Sequence, residues 1–130
     1  MTTDLSMLVY TGLLSLFFFL TYGTGRLLAP GGIEWGFGNR EKPIAAPEWT
    51  ARGQRAHNNL VENLAPFAIL VIVAHLTGKA NSTTALGATL FFWARVAHAA
   101  TYLAGIIYAR TAAFFVGVIG ELMILSQLFF

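Results

Sequence analysis

The chain has 130 residues, 56% of them hydrophobic and 11% charged, with a net charge of +2, no cysteine and a mean hydropathy of +0.64. Soluble domains are about one quarter charged, so this composition belongs to a membrane protein, and the length fits a single domain over residues 1–130. The missing cysteines exclude disulfides, thiolate metal sites and a cysteine nucleophile. The basic residues are few and never interleave with aromatics, which points to positive-inside bias rather than to nucleic acid.

A first apolar span is predicted over residues 5–28, with Leu16-Phe17-Phe18-Phe19-Leu20 at its centre. It is long enough to cross, because about 20 residues at 1.5 Å rise cover a ~30 Å hydrocarbon core. A signal peptide fits less well: the leader carries Asp4 and no basic residue, and more spans follow. Arg26 closes the span and can snorkel towards headgroups. Residues 29–49 are polar and broken by Pro30-Gly31-Gly32, Gly36, Gly38, Pro43 and Pro47, which forbid one continuous helix. Trp35 and Trp49 suit the interface.

A second span is predicted over 50–76, kinked at Pro66, which lacks the donor for the Glu62 carbonyl. Its front half carries a polar stripe. Arg55, Asn59 and Glu62 recur at steps of four and three, with Asn58 at the edge. After a short link, Asn81, Ser82 or Thr83 can cap a third span over 82–107, which holds Arg95, His98 and Tyr102. A fourth span over 109–129 opens with Arg110-Thr111 and shows a small face at Ala112-Ala113, Gly117 and Gly120. The fold expected is all-α, an integral membrane four-helix bundle with antiparallel neighbours. Arg26, Arg40, Lys42, Arg52, Arg55 and Arg110 fall on one side and only Lys79 on the other. The first loop is therefore expected in the cytoplasm and both termini outside.

Depth along the spans then groups the polar residues. Glu62 lies about 12 residues, or ~18 Å, into the second span, and Arg95 lies as far from the end of the third. These opposite charges sit at one level and should pair or face a wet pocket, since a lone charge there costs several kcal/mol. His98 and Tyr102 follow Arg95 at three and seven on one face. Together with Arg55, Asn59 and Arg110 they describe an intramembrane pocket open to the loop-one side, suited to a small ligand with carboxylates beside a hydrophobic second ligand. In the outer half His75 is the only titratable side chain expected. His57, His75 and His98 lack metal-ligand spacing, so no metal is expected. Glu121 receives no role.

These residues resemble a known family. Arg55-Ala56-His57-x-Asn59-x-x-Glu62-x-x-x-Pro66-Phe67 resembles the helix-two signature of the MAPEG family, the membrane-associated proteins in eicosanoid and glutathione metabolism. Arg95-Val96-Ala97-His98-x-x-x-Tyr102-Leu103, followed by Arg110-Thr111, resembles its later motif, and Gly38-Asn39-Arg40 is similar to bacterial members. The resemblance implies a homotrimer in a bacterial inner membrane, with glutathione as cosubstrate bound between subunits. Arg26, Arg55, Asn59, Glu62, Arg95, His98 and Tyr102 would line the glutathione site. Arg110 would stabilise the thiolate, and Thr111 stands where the prostaglandin E synthase branch has a catalytic-site serine. Asn58 stands where that branch has arginine. The activity implied is a glutathione-dependent transferase or peroxidase acting on a lipophilic electrophile. The alternative is a non-catalytic lipid-binding member of the same family. A small multidrug transporter, also of four spans, would need an essential carboxylate within the first span, which holds none beyond Asp4.

Overall fold

The computed structural model describes residues 1–130 and contains helices and no strands. In chain order these are α1 (Thr3–Leu27), α2 (Gly32–Phe37), α3 (Glu48–Leu76), α4 (Ser82–Ala104) and α5 (Ile107–Phe129). α1, α3 and α5 are long and apolar enough to cross a membrane. α4 has spanning length too, but Arg95, His98 and several threonines lower its hydropathy.

The local signals explain the boundaries. α4 starts at the full capping box that Asn81 makes with Thr84, each side chain bonding the other's backbone N–H. It ends three residues short of the expected 107, because Gly105 turns left-handed (φ 76°) and Ile106 is extended, which reverses the chain in two residues. α3 runs unbroken through Pro66. The first loop is not one continuous helix, as expected, but it holds a short one that was not foreseen, α2. Its six residues fit between Gly31, at φ 72°, and Gly38, so the breakers bound it rather than prevent it.

α1 packs on α3 and α4, and α5 packs on α4 and α3. Two apolar clusters fill the interior. Phe67, Val71 and Ala74 of α3 meet Ala88 and Phe91 of α4 and Ile124 of α5 in one half, where Phe67 stacks on Phe91 with centroids 3.9 Å apart. Phe18, Ala56 and Ala99 join α1, α3 and α4 in the other. The closest helix pair is α4–α5, where Gly87 and Gly120 put backbone on backbone. A Cβ on Gly87 would fall 2.6 Å from the Gly120 carbonyl oxygen, and one on Gly120 would fall 2.5 Å from that of Gly87. Lipid tails are as apolar as the side chains, so this close packing, not burial from water, holds membrane helices together.

Gly120→Ala is therefore expected to cost about 1–3 kcal/mol through overpacking. Gly12→Ala, where a Cβ meets nothing within 4 Å, is expected to stay within about 0.5 kcal/mol. Unfolding of the two variants in detergent checks the contrast.

Candidate functional site

Arg95 is the largest fully buried side chain. Four groups hold it. Its Nη1 donates to Asn59 Oδ1 (3.0 Å) and its Nη2 to the Phe114 carbonyl (3.3 Å). Its guanidinium lies 5.4 Å from the Phe91 ring centroid and 5.3 Å from that of Phe114. Gly117 makes the room, since a Cβ there would sit 2.8 Å from Nη2. Arg95 Nε and Glu121 Oε1 are both buried without a hydrogen bond. Glu121 follows Gly117 by one turn of α5 and acts on Arg95 as a nearby countercharge without closing an ion pair.

Of the two outcomes expected for Glu62 and Arg95, to pair or to face a wet pocket, pairing does not occur. Depth along a helix fixes a level but not a direction. Asn59 turns inward to Arg95, whereas Glu62 is exposed on the outer face of α3 with Arg55 and Asn58, and none of these three forms an ion pair. The stripe therefore splits: one residue braces the interior and the others look outward.

Towards the third loop, His98 is buried and its ring stands 5.6 Å from that of Tyr102. Arg110, at the start of α5, lies 4.4 Å from the Tyr102 centroid. The short reversal at Gly105–Ile106 makes this stacking possible, and it leaves the Arg110 donors without any protein acceptor. Thr111 is exposed and donates to the Ile107 carbonyl (3.2 Å). The chain thus assembles Asn59–Arg95 and His98–Tyr102–Arg110, with Glu62 and Arg55 outside on α3. It does not bring Arg26 to them. Arg26 stacks on Tyr22 (5.4 Å) and Trp35 (5.8 Å) and lines a cavity that contains neither Tyr102 nor Arg110.

Two polar clusters were not foreseen. His57 has both ring nitrogens occupied, Nε2 by Ser15 Oγ (3.0 Å) and Nδ1 by Tyr22 OH (3.3 Å), which clamps α1 to α3. At the other end of the molecule Asp4 is buried. Its Oδ1 lies 2.9 Å from His75 Nε2 and its Oδ2 lies 3.1 Å from Thr84 Oγ1. The outer half was expected to hold His75 alone, and it holds a carboxylate–histidine pair instead. Antiparallel order was the available signal, because it puts the start of the first span beside the end of the second. No group of three or more His, Asp or Glu side chains is arranged to hold a metal ion.

A family model described as the MAPEG family matches residues 6–130, and the chain belongs to that family. Membership and the three apolar helices make it an integral membrane protein. Microsomal glutathione S-transferase 1 of Bos taurus and that of Mus musculus are each 36% identical to it over 86 residues, 63% of this chain and 56% of theirs. That of Homo sapiens is 35% identical over 80 residues, 61% of this chain and 52% of its own. The chain thus spans little more than half the length of these relatives. No solved structure matches it.

Asn59→Leu removes the acceptor from a buried guanidinium. It is expected to cost about 1–3 kcal/mol or more, since unsatisfied charged groups exceed the neutral case. His75→Leu, which removes the closest partner of the buried Asp4 carboxylate and leaves Thr84 as its donor from another helix, is expected to cost a similar amount. Thermal unfolding of each in detergent, against Asn39→Leu in the exposed first loop as control, measures this.

Proposed function

We propose that the chain is a glutathione-dependent membrane transferase or peroxidase that works as a homotrimer, with glutathione bound at the boundary between subunits. The observation that carries the reading is Arg110 stacked 4.4 Å above Tyr102, one step from buried His98, with its donors free. The relatives named for glutathione transfer support the choice of cosubstrate.

The trimer is supported by what α3 leaves uncovered. Arg55, Asn58 and Glu62 are exposed on a helix apolar enough to span. Charged groups facing hydrocarbon cost several kcal/mol and belong against protein or in a wet cavity. A neighbouring copy that covers this face removes the cost and encloses a polar chamber. In that chamber Arg55 and Asn59 suit the carboxylates of the tripeptide and Glu62 suits its ammonium group. His98, Tyr102 and Arg110 line the inner end, with Thr111 at the rim. Arg95 acts from behind: by binding Asn59 Oδ1 it leaves the amide NH₂ to point away from the interior. α4 crosses as the fourth span because its one full charge is hidden inside the protein.

The chemistry follows from the cation. A guanidinium beside the glutathione sulfur lowers the thiol pKa and raises the thiolate fraction at neutral pH. The thiolate attacks an electrophilic carbon of a lipophilic substrate entering from the bilayer. A C–S bond forms, the bond to the leaving group breaks, and the thiol proton passes to water. The first loop is placed on the cytoplasmic side, where the basic residues accumulate.

Conjugation of glutathione to chlorodinitrobenzene by the purified protein tests this. Arg110→Ala is expected to lower kcat by about 10²-fold, the size of a lost transition-state donor, with Arg110→Lys recovering part of it. Glu62→Gln is expected to raise KM for glutathione more than it lowers kcat. Absence of both turnover and glutathione binding in the wild-type protein would favour a non-catalytic lipid-binding role.

A further inference from the structure

Two charged side chains between α4 and α5 each keep one buried atom that the protein does not satisfy. Arg95 directs Nη1 to Asn59 and Nη2 to Phe114, but its Nε–H, buried with the rest of the side chain, donates to no protein atom. Glu121 is half-buried on α5, and its Oε1 is enclosed without accepting a hydrogen bond. Buried polar groups are nearly always paired, and inside a membrane there is no bulk water to do it. An unmet donor and an unmet acceptor in one core therefore call for a common partner.

The backbone brings the two together. Glu121 follows Gly117 by four residues and shares its face of α5. Helical side chains lean towards the N-terminus of their own helix, which carries the Glu121 carboxylate back towards Gly117. That glycine adjoins the guanidinium: a Cβ on it would fall 3.2 Å from Arg95 Nε and 2.8 Å from Nη2. The Nε edge of Arg95 thus opens on the strip of α5 from which Glu121 projects. Each group acts on the other as a countercharge. They do not touch, since every guanidinium nitrogen stands more than 4.0 Å from the carboxylate oxygens.

A separation beyond direct reach suits a water molecule. Two hydrogen bonds of about 2.9 Å meeting at a water oxygen join groups roughly 4.5–5.5 Å apart. The chemistry selects water too. It accepts from Nε–H and donates to Oε1, whereas an anion would be repelled by the carboxylate and a cation by the guanidinium. An apolar ligand would leave both atoms unpaired. We propose that Arg95 Nε–H and Glu121 Oε1 hold an internal water between α4 and α5. Through it the carboxylate fixes the guanidinium, and the guanidinium fixes the Asn59 side chain. Glu121 is thus a positioning residue that acts on Asn59 through Arg95. The site uses neither glutathione nor a second copy of the chain.

Proton-detected solid-state NMR of the full chain in lipid bilayers, with isotope-labelled arginine and asparagine, tests this. The Arg95 Nε–H signal is expected to show a cross-peak to water while exchanging with bulk deuterium more slowly than the exposed arginines. Glu121→Leu is expected to lose the cross-peak and to shift the Asn59 side-chain amide signals. Glu121→Gln, which keeps an acceptor oxygen, is expected to retain the cross-peak. A wild-type Nε–H without a water cross-peak overturns the proposal, and this arm depends on no variant. A cross-peak that survives in Glu121→Leu also overturns it, assigning the water to other partners. Unchanged Asn59 signals in that variant overturn the positioning role. Because no glutathione is added and no turnover is measured, the outcome is separate from that of the conjugation assay.

Discussion

The arrangement depends on one guanidinium buried among membrane helices. Arg95 would cost several kcal/mol if left alone at that depth, and the protein surrounds it from three helices. α3 contributes the side-chain Oδ1 of Asn59, α5 the Phe114 backbone carbonyl and the clearance at Gly117, and α4 and α5 one aromatic face each. The same contacts fix how these helices sit against one another. Small residues are needed on α5 because a cation and a backbone must both approach it closely: Gly117 admits the guanidinium, and Gly120 admits Gly87.

From this brace the polar surface follows. Asn59 is held from within, so its helix cannot rotate without breaking the Arg95 bond. Holding α3 in that orientation turns Arg55, Asn58 and Glu62 outward. At the far end, Asp4 with His75 and Thr84 ties α1 to α3 and α4, and Lys79 donates to the Leu128 carbonyl at 2.6 Å, tying the second loop to α5. At the near end Ser15 and Tyr22 hold His57. Each end of the helix assembly therefore has its own polar fastening, with apolar packing between. A frame of this kind keeps Tyr102 and Arg110 in register across the short α4–α5 reversal.

Much of this was legible in the sequence, for definite reasons. Apolar runs of spanning length gave the long helices, and Gly, Pro and Asn gave their ends. The spacing of Arg95, His98 and Tyr102 gave a shared face, and the two motifs gave the family. The errors share one cause: depth is readable from residue counts, whereas direction around a helix axis needs a partner. Glu62 and Arg95 are level, but Asn59, one turn earlier, is the residue that faces inward. In the first span Asp4, Thr11, Ser15 and Tyr22 recur at steps of seven and four on one face, which is the face that packs inward on His57 and His75, a signal obscured because the surrounding run is so apolar. Asp4 stood just ahead of the expected first span, and only packing shows it enclosed. α2 is six residues long, too short to register as a periodic pattern, and the Arg26–Trp35–Arg40 cluster depends on it.

The central claim is that the outward polar face of α3 and the Tyr102–Arg110 stack belong to one chamber completed by a second copy. A structure of the protein in a lipid nanodisc with glutathione tests it most directly. The account predicts a threefold assembly, with the glutathione sulfur beside Arg110 and its charged ends on Arg55, Asn59 and Glu62 at a subunit boundary. A monomer with Glu62 facing lipid, or glutathione bound remote from Arg110, would contradict it.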